Sequence, residues 1–149
     1  MIVNYLSDFH EGQVFHHWLG KTIFESDNNL FSLLTCNHHP VHSDIKYSEE
    51  SKHGKILVVG TLVFSLAVGL TVNDISMGAI ANLEYTNIIH KNPVFLNDTL
   101  YAESKIINVS ESPESTAGVI TVATTCKNQN DEVVLLFTRK VLIKKNPNV

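Results

Sequence analysis

The spacing of polar and apolar positions changes rhythm near residue 78. Beyond it, apolar residues recur at every second position. Ile80–Ile89 is one such run. In the next, Leu100, Ala102, Ser104 and Ile106 alternate with Tyr101, Glu103 and Lys105. Val119–Cys126 is a third, and Val133, Leu135, Phe137, Arg139, Val141 and Ile143 form one face of a fourth. A period of two predicts strands, because successive side chains leave opposite faces of a sheet. The turn-forming stretches Pro113–Thr116 and Asn128–Asp131 lie between runs, and connections this short predict antiparallel pairing.

The first half has a different grammar. Lys21–Phe24 is expected to be a short strand. Ser26 and Asp27 offer capping oxygens for a helix whose apolar positions Leu30, Phe31, Leu33 and Leu34 share one face. Pro40 stops that helix, since it lacks an N–H and forces His39 toward extended geometry, so Asn37–Val41 should be an irregular crossing. Ser48–His53 is expected to be a short helix closed by Gly54. The β-branched run Ile56–Val59 is expected to be a short strand, broken at Gly60. Leu62, Phe64, Leu66, Ala67, Val68 and Leu70 are apolar nearly all round, as a buried central helix requires. The fold class is therefore α+β, an antiparallel sheet around one apolar helix.

With 149 residues the chain fits a single domain, residues 1–149. A formal net charge of −4 gives no attraction to a phosphate backbone, so no nucleic-acid partner is expected. Ile56–Val72 carries no charge, but it is short for a span and diluted by Gly60, Thr61, Ser65, Gly69 and Thr71, so no membrane segment is expected. The N-terminus lacks the basic start and apolar run of a secretory signal, and a cytoplasmic protein is expected. Cys36 and Cys126 lie far apart with no CxxC spacing and are expected to be reduced, buried packing residues. Trp18 and Phe15 are expected to cover the sheet edge.

Candidate chemistry concentrates in residues 35–44, where His38, His39 and His42 fall within five positions. Three readings are open. His38 and His42 have helical metal-ligand spacing, but Pro40 stands between them and no metal is expected. The histidines could serve structure alone. One of them could instead be a general acid–base, since an imidazole exchanges a proton near neutral pH.

Three strings narrow the choice. They are Cys36-Asn37-His38-His39-Pro40-Val41-His42 with Asp44 beyond it, Ile56-Leu57-Val58-Val59-Gly60-Thr61, and Asn92-Pro93-Val94-Phe95-Leu96-Asn97-Asp98-Thr99-Leu100. In this order, over roughly residues 9–143, they resemble the MaoC-like dehydratases and (R)-specific enoyl-CoA hydratases. The resemblance implies a hot-dog fold and a homodimer or higher homo-oligomer. It also implies reversible hydration of a 2-enoyl thioester to a 3-hydroxyacyl thioester. His42 falls on the catalytic histidine of that family. Gly60 falls on the glycine whose amide holds the thioester carbonyl. Val59, Thr61 and His39 are expected to line the substrate. No cofactor is expected beyond the coenzyme A or phosphopantetheine that the acyl-CoA or acyl-carrier substrate itself brings.

One departure matters. The family's catalytic Asp is Asn37 here, and its Asn is His39. An amide cannot take a proton from water at neutral pH, though its oxygen can orient one. His42 must then carry the proton traffic, with Asn37 expected to position the water. Asn in this place is a pattern associated with hydratases of branched or dicarboxylic acyl-CoAs, of the mesaconyl or itaconyl type. Two alternatives stand beside this reading: a hot-dog thioesterase, disfavoured because Ile56–Val72 holds no carboxylate, and a non-catalytic acyl-thioester binding subunit, which Asn37 keeps open.

Overall fold

A computed structural model describes residues 4–111 and 114–147. The chain opens with two short strands, β1 (Val14–His16) and β2 (Lys21–Thr22), and three helices, α1 (Glu25–Leu34), α2 (Ile45–Glu49) and α3 (Gly60–Leu70). Four long strands follow: β3 (Ala79–His90), β4 (Thr99–Glu111), β5 (Ala117–Lys127) and β6 (Val133–Lys144). The sheet is antiparallel throughout, in the order β1-β4-β5-β6-β3, with β2 also on β4. Every alternating run foreseen from the pattern is a strand. Pro113, which opens one foreseen turn, lies outside the described residues. The other turn is present: the Asn128 side-chain oxygen accepts from the amides of Asn130 and Glu132.

The inner face of the sheet carries the core. Leu100, Cys126, Leu135 and Phe137 pack with Leu62, Val63 and Ala67 of α3. Farther along the same strands, Ile106, Val122, Ile120, Val141 and Ile143 pack with Leu6, Phe9 and Ile75. Between the two apolar clusters each strand places one buried polar residue inward: Ser104 on β4, Thr124 on β5 and Arg139 on β6. Ser104 Oγ lies 2.8 Å from Thr124 Oγ1 and 2.8 Å from Nε2 of His17, whose Nδ1 is 2.6 Å from Asp74. Arg139 donates to Thr71 Oγ1 at 2.7 Å, so its charge sits at the carbonyl end of α3, where a helix favours a cation.

Several expectations need correction. α1 forms as foreseen, but its buried residues are Asn28 and Ser32, while Leu30, Leu33 and Leu34 face outward. Periodicity reveals a shared face, not which way it points. The second helix is Ile45–Glu49 rather than Ser48–His53, because the Asp44 carboxylate caps the Tyr47 amide and starts it earlier. Ile56–Val59 is not a strand. It makes one isolated bridge, Leu57 to Phe95, with the Val58 amide on the Val94 carbonyl. α3 is not buried all round, since Thr61, Ser65 and Gly69 form an outward stripe. Trp18 covers nothing and is 82% exposed, whereas Phe15 packs on the second cluster. Cys36 is exposed; only Cys126 is buried, and burial pushes its thiol pKa up to about 12.

Candidate functional site

The proline-bent crossing forms one turn of 3-10 helix, Pro40–His42, with the proline in the first position, where its missing N–H costs nothing. Its backbone is tied down on both sides. The Val41 carbonyl accepts from the Leu57 amide and from Ser48 Oγ. The carboxamide of Asn28, a residue 1% exposed, donates to the His42 carbonyl at 2.9 Å and accepts from the Val59 amide at 3.0 Å. One buried side chain on α1 thus joins the histidine turn to the start of α3.

His42 Nδ1 lies 2.8 Å from the Leu57 carbonyl. A carbonyl only accepts, so Nδ1 carries the hydrogen and a neutral ring keeps Nε2 as its free basic nitrogen. His42, Leu57, Val58, Gly60, Val63 and His90 are among the residues that line a cavity of about 270 Å³. Gly60 is the first residue of α3, so its N–H has no acceptor within the helix. That amide sits at the positive end of the helix dipole. The chemistry available in this cavity is an imidazole nitrogen beside a donor suited to a developing oxyanion.

Gly60 also has a steric role. A Cβ built there would lie 3.2 Å from Cε1 and 3.3 Å from Nε2 of His90, whose ring therefore rests against the start of α3. His90 is the last residue of β3, opposite Leu135. An extra residue in β3 between Thr86 and Ile89, where Asn87 adopts a φ of 52°, shifts the register. This bulge changes the parity of the strand and puts His90 on the same side as Tyr85, with His90 still exposed where the strand ends.

The other expected residues are placed as follows. Asn37, with His38, lines a different cavity formed with Asn29, Ser32, Leu33 and Ser43. His39 is exposed. Its Nδ1 accepts from the Val41 amide, and its ring lies edge-on to Tyr47. Val59 is buried and precedes α3 as its N-cap, while Thr61 is exposed. Neither Val59 nor Thr61 nor His39 lines the His42 cavity. Among the described residues no group of three or more His, Cys, Asp or Glu is arranged to hold a metal ion, and no helix is long and apolar enough to cross a membrane. Sequence reasoning missed Asn28 and His90. Nothing in the pattern marks Asn28. His90 stands three residues before Pro93, and the side of the strand it takes depends on the bulge.

Residues 8–128 match the MaoC like domain. A beta-methylmalyl-CoA dehydratase of Chloroflexus aurantiacus is 34% identical over 97% of this chain and 42% of its own length. A mesaconyl-CoA hydratase of Cereibacter sphaeroides is 32% identical over 95% of this chain and 41% of its own length. The chain thus spans less than half the length of these curated relatives. A Mycobacterium tuberculosis protein described as a double hot-dog fold superposes with a TM-score of 0.90 at 22% identity, over 99% of this chain and 46% of that one. The sheet wrapped on α3 is accordingly a hot-dog fold.

Proposed function

The chain belongs to the MaoC-like domain family, and on that premise we propose that it hydrates the 2,3 double bond of an enoyl thioester, reversibly, to a 3-hydroxyacyl thioester. One observation carries the proposal: a histidine with a free Nε2 and the open first turn of α3 line the same cavity. The names of the two curated relatives favour small branched or dicarboxylic acyl-CoAs as substrates.

The step balances on one imidazole. His42 Nε2 takes a proton from water as the water oxygen bonds to the β-carbon. The π electrons move toward the thioester oxygen, which accepts from the Gly60 amide. The α-carbon then takes the proton back from His42, and the neutral ring is restored. An amide donor to such an oxyanion is worth about 3–4 kcal/mol of barrier. Glycine suits this position because its lack of a Cβ leaves room beside the His90 ring. Asn37 has no part in the step as written, since it borders the other cavity.

We further propose that two copies associate through β3. Among the described residues this strand pairs only with β6, and it exposes Ile80, Leu83, Ile88 and Ile89. Sheet edges of this kind recruit a partner strand. A chain that elutes as a monomer at micromolar concentration would remove this part of the proposal.

The test of function is a panel of crotonyl-, mesaconyl- and itaconyl-type CoA thioesters, followed by loss of the conjugated double bond and, in parallel, by release of free thiol. Hydration removes the absorbance and leaves the thioester whole. Thiol release would instead indicate a thioesterase, and no turnover with ligand-raised melting would indicate a binding subunit.

A further inference from the structure

Resting on the hydratase reading, we infer that His90 is a second catalytic residue, an N–H donor that shares the thioester oxygen with the Gly60 amide. The observations are local. The His90 ring is the nearest neighbour of the Gly60 α-carbon on the side where a side chain would stand, with ring atoms 3.2, 3.3 and 3.7 Å from that point. The Cα–Cβ direction in a helix tilts toward its N-terminus, the same end at which the first amides are open. A carbonyl oxygen accepting from Gly60 therefore lies beside the ring. His90 lines the same cavity as His42, and its ring makes no hydrogen bond to another described residue, so its ring nitrogens are available.

Its position is fixed from behind rather than through the ring. The Lys91 amide donates to the Val134 carbonyl at 2.9 Å, and the Asn92 carboxamide donates to the Val133 carbonyl at 2.8 Å. The bulge at Asn87 sets the side of the strand on which the exposed ring lies. A strand end anchored to β6, with a titratable ring turned toward a helix start, costs the sheet a regular register, and the site gains the placement.

The roles of the two histidines differ chemically. His42 has one nitrogen committed to the Leu57 carbonyl and works as the base. His90 transfers no proton. It stabilises charge that appears on the oxygen only as the water adds, so its loss should lower kcat and leave KM nearly unchanged.

The experiment compares His90→Phe, His90→Leu and His90→Gln with the unaltered protein on whichever enoyl-CoA it hydrates best, with melting midpoints as the fold control. The inference expects the Phe and Leu variants to lose about 100- to 1000-fold in kcat. KM should change by less than about threefold, and the Gln variant, which retains an N–H donor, should recover a large part of the rate. A folded Phe or Leu variant with kcat within threefold of the unaltered protein would overturn it. So would a rise in KM alone, or a Gln variant as slow as Phe. Should the Phe and Leu variants fail to fold, a slow but folded Gln variant overturns it and a fast one supports it. An unaltered protein inactive on every enoyl thioester removes the hydratase reading and this inference with it; activity without dependence on His90 removes the inference alone.

Discussion

His17 shows how far the role of a residue can lie from its place in the chain. It sits next to His16, which is exposed with Nδ1 2.9 Å from the Glu103 carboxylate, yet the His17 side chain is wholly enclosed. Burial pulls its pKa below the ordinary histidine value. The hydrogen bond and charge of Asp74 oppose the shift, and Arg139 and His16 reinforce it. A histidine whose folded pKa is depressed binds fewer protons folded than unfolded, so its contribution to stability is present above about 6.5 and is lost as the pH falls through that value. The melting midpoint should therefore drop between about pH 7 and pH 5, before most carboxylates titrate. His17→Gln should flatten that slope, since Gln can still donate to Asp74 and accept from Ser104. An unchanged slope in the variant would assign the effect elsewhere. Nothing in the sequence distinguishes His17 from His16, because the difference arises only when β4 and the turn at Val72–Ser76 meet around it. His42 was legible because Pro40 and Val41 mark its string. Cys36 was misread: expected to be a buried packing residue, it is exposed and holds a φ of 56° just past α1, a backbone region that favours glycine.

Among the elements, the four long strands and the Asn128–Asp131 turn were legible, and the segments before α3 were less so. β4, β5 and β6 each bury one face against the core, and that requirement writes itself into the sequence with period two. The bulges in β3 break this rule without a glycine or proline to announce them. Asn87 is an ordinary polar residue whose positive φ appears only in the structure. α1 reverses the usual logic by burying an asparagine and exposing leucines. Asn28 holds the His42 turn to the start of α3, and Asn28→Ala would leave the buried Val59 amide without its acceptor. An unsatisfied buried group of this kind costs about 1–3 kcal/mol. The melting midpoint should fall accordingly. Loosening the distance between His42 and Gly60 should lower kcat by about 10- to 100-fold with a smaller effect on KM. If stability falls while kcat holds, Asn28 serves the fold and not the site.

At the scale of the molecule, two apolar clusters are joined across a buried polar layer, and the cavity lies at the end of α3 away from that layer, where the helix opens toward His42 and His90. α+β architecture was readable from strand periods followed against one uncharged helix. The separation of Asn37 from His42 into different cavities was not, because five residues of irregular backbone can turn either way and only packing on Asn28, Ser48 and Leu57 decides. The account depends on a base held beside an open helix start. Its most direct test is His42→Ala, assayed by loss of the enoyl double bond on the best substrate of the panel, with melting as the control. The expected result is a folded protein whose kcat falls by about 100- to 10,000-fold. A folded His42→Ala protein that hydrates at the original rate would contradict the account.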